Sequence, residues 1–170
     1  MPTPFYVAIK GKRQGAITKG DLTADSVGNS FQEGHEDESL CQAYVANVTI
    51  PRDPQSGQPT STRVHNPAVI TKAFSKSSPL LWQALCSGEV LQIVAKFWRT
   101  SMTGQQEHYF TVKWTDAVMV YGKAYVPNAL DTANNNFTHM EDWSFTYRMV
   151  EWTHEKGGTS GADDWRKPKT

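Results

Sequence analysis

Glu107-His108-Tyr109-Phe110-Thr111-Val112-Lys113-Trp114 decides the fold class. His108, Phe110, Val112 and Trp114 fall on one face, and Glu107, Tyr109, Thr111 and Lys113 on the other. A period of two is what a half-buried strand requires, because successive side chains leave opposite sides of the pleat. The same period recurs along the chain. Phe5, Val7 and Ile9 alternate with Tyr6, Ala8 and Lys10; Tyr44, Ala46, Val48 and Ile50 with Val45, Asn47 and Thr49; Trp143, Phe145, Tyr147 and Met149 with Ser144, Thr146 and Arg148. Residues 68–74 and 93–100 read as weaker strands. Residues 117–126 are apolar on both faces, which places them in a sandwich core or beneath a partner chain.

One segment has the helical pattern. Ser78 is a candidate N-cap, Pro79 suits the first turn, Leu81, Ala84 and Leu85 share one side, and Gly88 can take the left-handed conformation that stops a helix. Gly104 suits a hairpin before the Glu107 strand. Residues 51–67 form a long polar loop punctuated by Pro51, Pro54, Gly57, Pro59 and Pro67, longer than most connections. Residues 27–39 are a second polar stretch, and 156–170 a polar, Gly-rich C-terminal tail apart from Trp165. With no internal repeat and no linker, residues 1–170 read as a single domain. It is mainly β, a sandwich or barrel with one covering helix.

Composition agrees. The 170 residues can bury roughly 68% or more of their unfolded surface without disulfides or metal. Lys plus Arg and Asp plus Glu are both 17, so the net charge is zero. That argues against a nucleic-acid binder acting through overall charge, and it weakens the self-repulsion that keeps chains apart. Cys41 and Cys86 fit no CxxC spacing, which excludes zinc ribbons and thioredoxin-type motifs; two free thiols point to a reducing cytoplasm, and a single Cys41–Cys86 bridge stays open at this point. No apolar run is long enough for a membrane helix, so no membrane insertion is expected. The N-terminal stretch lacks the basic region of a signal peptide.

Any catalytic pattern would have to come from the His and carboxylate residues. His35-Glu36-Asp37-Glu38 lacks the second His of HExxH and follows Gly34, so it reads as a solvated acidic turn. His139 and Glu141 fall on one face by alternation, but two ligands without a third rarely make a metal site. His108 reads as a hydrogen-bonded core histidine and Cys86 as a small buried apolar residue. Gly15 and Gly20 have phosphate-loop separation, yet Asp21 stands where the lysine should be. There is no GxSxG elbow. No catalytic residue, metal or cofactor is expected.

Charge is segregated instead. Lys10, Lys12, Arg13 and Lys19 occur without an intervening acid, and Glu33, Glu36, Asp37 and Glu38 without an intervening base. These are either two solvated loops or the two halves of a head-to-tail contact, which closes into rings or grows into filaments. Six Trp, six Tyr and seven Phe lean toward interfaces.

The sequence resembles the haemolysin-coregulated protein (Hcp) family, the tube subunit of the bacterial type VI secretion system. The resemblance runs over essentially the whole chain. Gly11-Lys12, Gln14-Gly15, Ile17-Thr18 and Ser26-Val27-Gly28-Asn29 are similar to the family's opening, followed by Gly34-His35-Glu36-Asp37-Glu38. The most specific block is Pro51 with Asp53-Pro54-Gln55-Ser56-Gly57-Gln58-Pro59, then Arg63-Val64-His65. Lys76-Ser77-Ser78-Pro79-Leu80-Leu81, Gly88-Glu89, Thr115-Asp116-Ala117 and the stretch Gly158 to Arg166 complete it. Val45-Ala46-Asn47, Ser61-Thr62, Asn66 and Asn134-Asn135-Asn136 depart from the family pattern.

The resemblance implies a compact two-sheet β-barrel with one short flanking α-helix, assembling into a ring. It implies hexamers that stack into the expelled tube, a spike and contractile sheath as partners, and effector proteins carried in the lumen. It also implies synthesis in the cytoplasm, secretion without a cleaved signal peptide and no enzymatic activity. Because the sequence stops soon after the barrel pattern, no fused toxin domain is expected. Candidate interface residues are Lys10, Lys12, Arg13, Lys19, Glu33, Glu36, Asp37, Glu38, Arg52, Asp53, Gln55 and Arg63, with Arg52 and Asp53 able to pair across a ring junction. A phage-type tail tube would use the same physics, and a small metal-dependent β-barrel enzyme would need His139, Glu141 or the His35 loop.

Overall fold

The computed structural model describes residues 3–167. Residues 1, 2 and 168–170, the first of the N-terminal stretch and the last of the polar tail, lie outside them. In chain order the elements are β1 (Phe5–Gly11), β2 (Gly15–Ala16), α1 (Ala24–Val27), β3 (Ser39–Val45), β4 (Val48–Thr49), β5 (Val64–His65), β6 (Ala68–Ala73), α2 (Ser78–Ser87), β7 (Val90–Thr100), β8 (Gln106–Tyr125), β9 (Met140–Thr146), β10 (Met149–His154) and β11 (Thr159–Asp164).

The strands close on themselves. β7, β1, β3, β6 and β9 pair in that order, and β8 pairs with both β7 and β9, completing a barrel with no free edge along that path. β10 and β11 extend the sheet from the other edge of β8. That edge changes partner midway. Thr115 is the last position opposite β10, and Val118 the first opposite β9. Between them Asp116 has φ 51°, and Arg148 from the β9–β10 connection donates to its carboxylate at 2.7 Å. Asp tolerates the left-handed region better than most residues, so it can serve as the corner.

The alternating residues fill the interior. Val7, Ile9, Ile70, Ile93, Val112, Trp114, Trp143 and Phe145 are all essentially inaccessible. Each such large side chain contributes about 1.5–3 kcal/mol relative to exposure. α2 lies over β8, with Leu81 and Ala84 buried and Trp82 edge-on to Trp143 at 4.7 Å. Gly122 of β8 leaves room for this crossing, because a Cβ there would meet the Trp143 ring at 2.7 Å and Trp82 at 3.1 Å.

Several expectations change. The N-cap is Ser77, and Ser78 is the first helical residue. Its hydroxyl accepts from the Ser75 N–H at 3.0 Å and donates to Glu141 at 2.7 Å. Gly88 ends the helix in the left-handed region as expected. The expected strand through Tyr44 to Ile50 breaks after Val45, and Val45, Ala46, Val48 and Ile50 are exposed. Residues 106–125 form one strand of 20 residues, not two. The C-terminal tail contains β11, paired along all six residues with β10. Its Thr-Ser-Gly-Ala composition hid it, because an outer strand beyond the barrel needs little apolar alternation.

Candidate assembly surfaces

Residues 46–66 leave the barrel as an ordered two-stranded arm rather than an aperiodic loop. Val48 faces His65 and Thr49 faces Val64 across the β4–β5 ladder, and a further bridge joins Arg52 to Pro59. At the tip, the Asp53 N–H donates to the Gln58 carbonyl and the Gly57 N–H to the Asp53 carbonyl, both at 2.9 Å. Gly57 takes φ 72°, where a side chain would be strained. The Asp53 carboxylate accepts from the Gln55 N–H at 3.0 Å and the Ser56 hydroxyl at 2.7 Å, and these bonds hold it below the usual carboxylate range. Val48, Ile50 and Val64 are exposed along the arm, and Gln55 and Arg52 at its tip.

The arm's returning strand is fastened to the C-terminal strand. Arg63 Nε donates to Asp163 Oδ2 at 2.5 Å, and Arg63 Nη2 donates to the carbonyls of Asp164 and Lys167 at 3.0 and 3.1 Å. His65 lies between Asp163 Oδ2, 2.7 Å from Nε2, and the Tyr147 hydroxyl, 2.9 Å from Nδ1. Sequence reading named Arg63 but missed Asp163, Tyr147 and the buried state of His65. No local pattern links positions about a hundred residues apart.

The basic turn stands at the other end of β1. Lys10, Lys12 and Arg13 are exposed. Glu89 organises the turn, since its Oε1 accepts from the Arg13 and Gln14 N–H groups at 2.6 and 2.7 Å and its Oε2 from the Gln14 side-chain amide at 2.7 Å. Burial tends to raise the Glu89 pKa, but these donors and the Arg13 charge outweigh it and hold the group below its ordinary value. β1 begins opposite Cys41 of β3, and β3 runs on from there to Val45 and the arm. The arm therefore leaves one end of the barrel and the basic turn caps the other, about 20 Å along a strand of seven residues.

Other candidates sit elsewhere. Lys19 is apart from the basic turn and next to Gly20, whose N–H donates to Asp37 at 3.0 Å. The two charge clusters therefore touch within one subunit at this point. Glu33, Glu36 and Asp37 are exposed, and Glu36 accepts from the Gly34 N–H at 2.9 Å. Glu38 is not available at the surface. It is buried, 2.5 Å from Lys96 Nζ and 2.8 Å from His35 Nδ1. Arg63 likewise points inward onto Asp163. Both side chains act within the subunit, where each is paired, and removing either partner would leave the other charge poorly solvated.

The chemistry-bearing residues separate. His139 is exposed beside Phe74, whereas Glu141 is fully buried against Lys72 at 2.8 Å. His108 is half-buried, stacked on Trp98 and 2.8 Å from the Thr111 hydroxyl. Cys86 is exposed on α2, not buried, and Cys41 is buried; both are free. Burial pushes the Cys41 thiol up to about 12. Among the described residues, no three or more His, Cys, Asp or Glu converge as a metal site. No helix there is long and apolar enough to cross a membrane.

A closed barrel with an ordered arm at one end and a glutamate-braced basic turn at the other is the build of a structural assembly subunit. Comparison with known proteins agrees. Residues 6–154 match the sequence model of the family described as "Type VI secretion system effector, Hcp". The "Major exported protein" of Pseudomonas aeruginosa is 56% identical over 169 residues, covering 99% of this chain and 98% of that one. A crystal structure of an Hcp protein superposes with a TM-score of 0.93 at 42% identity, covering 97% of this chain and 99% of its own. The secreted protein Hcp3 of Pseudomonas aeruginosa gives a TM-score of 0.83 at 49% identity, with the same coverage. The chain belongs to the Hcp family of the type VI secretion system. Its role is that of a structural subunit of the secretion tube.

Proposed function

We propose that six copies close into a ring through heterologous contacts and that rings stack end to end, arm end against basic-turn end. The observation that carries this reading is the placement of the arm and of Lys10, Lys12 and Arg13 at opposite ends of β1. Opposite ends are what a repeating, non-closing axial contact requires. Charge at the two ends sets register and orientation, while Val48, Ile50 and Val64 supply apolar area. On this reading the ring lumen carries effector proteins, and the tube works with a spike and a contractile sheath. The subunit itself performs no catalysis, needs no cofactor, and is made in the cytoplasm and exported without a cleaved signal peptide.

Light scattering on a sizing column tests the ring, which should run at about 114 kDa, six times the 19.0 kDa subunit. Deleting residues 56–62 tests the stacking. Rings are expected to survive and tubes to be lost. If both ring formation and tube growth were unchanged, the arm would not be the stacking element.

A further inference from the structure

We propose that Asp163 is the positioning residue of the arm, so that the C-terminal strand β11 sets the angle at which the arm leaves the barrel. The proposal rests on the reading of the arm as the stacking element, and its geometry stands independently. Asp163 Oδ2 receives both Arg63 Nε and His65 Nε2, and these two residues flank Val64 on the returning strand. The three side chains are 15%, 2% and 7% exposed for Arg63, His65 and Asp163. Charge-assisted bonds at that burial are directional and strong. Arg63 adds the carbonyl of Asp164 at the end of β11 and that of Lys167 beyond it, so one guanidinium grips a carboxylate and two main-chain acceptors. Trp165 packs over His65 at 5.7 Å and donates its indole N–H to the Tyr147 carbonyl, closing the far side.

Beneath the outgoing strand lies a hollow of about 130 Å³ lined by Tyr44, Val48, Trp114, Tyr147, Val150 and Trp152. At the base, the outgoing strand meets the returning one through Asn47 and Asn66, whose N–H donates to the Asn47 carbonyl at 3.2 Å. The arm is thus a two-stranded ladder whose returning strand is tied to β11 at Asp163.

Amide hydrogen exchange on the full chain carrying Asp163→Asn tests this. The arm amides of Asp53, Thr60 and Asn66 should exchange about tenfold faster or more, with those of β1 and β7 unchanged. Ring mass should stay the same while tube length falls. Arg63→Gln, which leaves the His65–Asp163 pair in place, should give a smaller change of the same kind, and Arg63→Lys should not restore the wild-type rate because one ammonium nitrogen cannot take the places of both Nε and Nη2. Unchanged arm exchange in both variants would overturn the proposal, as would an equal rise in arm and barrel. Because exchange is read on single rings, that failure is distinct from a failure of the stacking reading, which the deletion of 56–62 reports.

Discussion

Lys72 and Glu141 face each other across the β6–β9 ladder, Nζ to Oε1 2.8 Å, with side chains 1% and 0% exposed. Lys72 also donates to the Ser75 hydroxyl at 2.6 Å and to the Ala73 carbonyl at 3.0 Å, and Ser78 at the start of α2 donates to the same Glu141 oxygen. The pair therefore joins two barrel strands to the covering helix. Removing one partner strands the other charge in a dry site. Glu141→Ala is expected to cost about 3–5 kcal/mol, and the double variant Lys72→Met/Glu141→Leu to recover most of it. Urea midpoints of the wild type and the two variants check both statements.

Gly122 is under α2 for a steric reason. Gly122→Ala should drive the Cβ into the Trp143 ring and cost about 1–3 kcal/mol, as overpacked cores do. Thermal melts should show a fall of roughly 2–4 °C per kcal/mol for a chain of this size.

Glu89 makes the basic turn acid-sensitive. Its folded pKa lies below its unfolded one, so its stabilising contribution is fully present above the unfolded value and is lost as pH falls through the folded value. Glu89→Gln should be less stable than wild type at neutral pH. The gap should shrink as pH drops below about 4, where the unfolded carboxylate protonates. Denaturation curves at neutral and acid pH check the sign.

The two thiols should differ by orders of magnitude in reactivity. Cys41 is buried with its pKa pushed up to about 12, and Cys86 is exposed. At pH 8 the Cys41 thiol stays protonated. Maleimide should label the native protein once, at Cys86, and reach Cys41 only on unfolding, as mass spectrometry would show.

Charge reversal should report the axial contact. Asp53→Lys, or Lys12→Glu with Arg13→Glu, is expected to shorten tubes while leaving ring mass unchanged, with partial recovery when both reversals are combined. Each exposed pair is worth about 0.2–1 kcal/mol, so the effect should fade near 1 M salt, where screening falls to about 3 Å. Electron microscopy at low and high salt measures it.

Much of this was legible beforehand for definite reasons. Val112, Trp114, Trp143 and Phe145 alternate because one face of each strand meets the core, and the structure buries all four. Leu81, Ala84 and Gly88 mark α2 because helix periodicity and the left-handed stop are local. β11 and the arm were not legible as strands. β11 has no apolar face to bury, and the arm's prolines and glycine mask a ladder held by only a few pairs.

The sequence by itself determined the mainly β class, the covering helix α2 (though not the one-turn α1) and, through its family motifs, the tube-subunit role. Only the tertiary structure decided which charges remain for partners. Lys12, Arg13 and Arg52 stay outside, whereas Glu38, Arg63 and Glu141 turn inward to Lys96, Asp163 and Lys72. Hydrophobic periodicity is written in neighbouring residues, because burial follows the pleat. Ion pairing is set by residues brought together across the barrel, and its outcome depends on desolvation at the place where they meet.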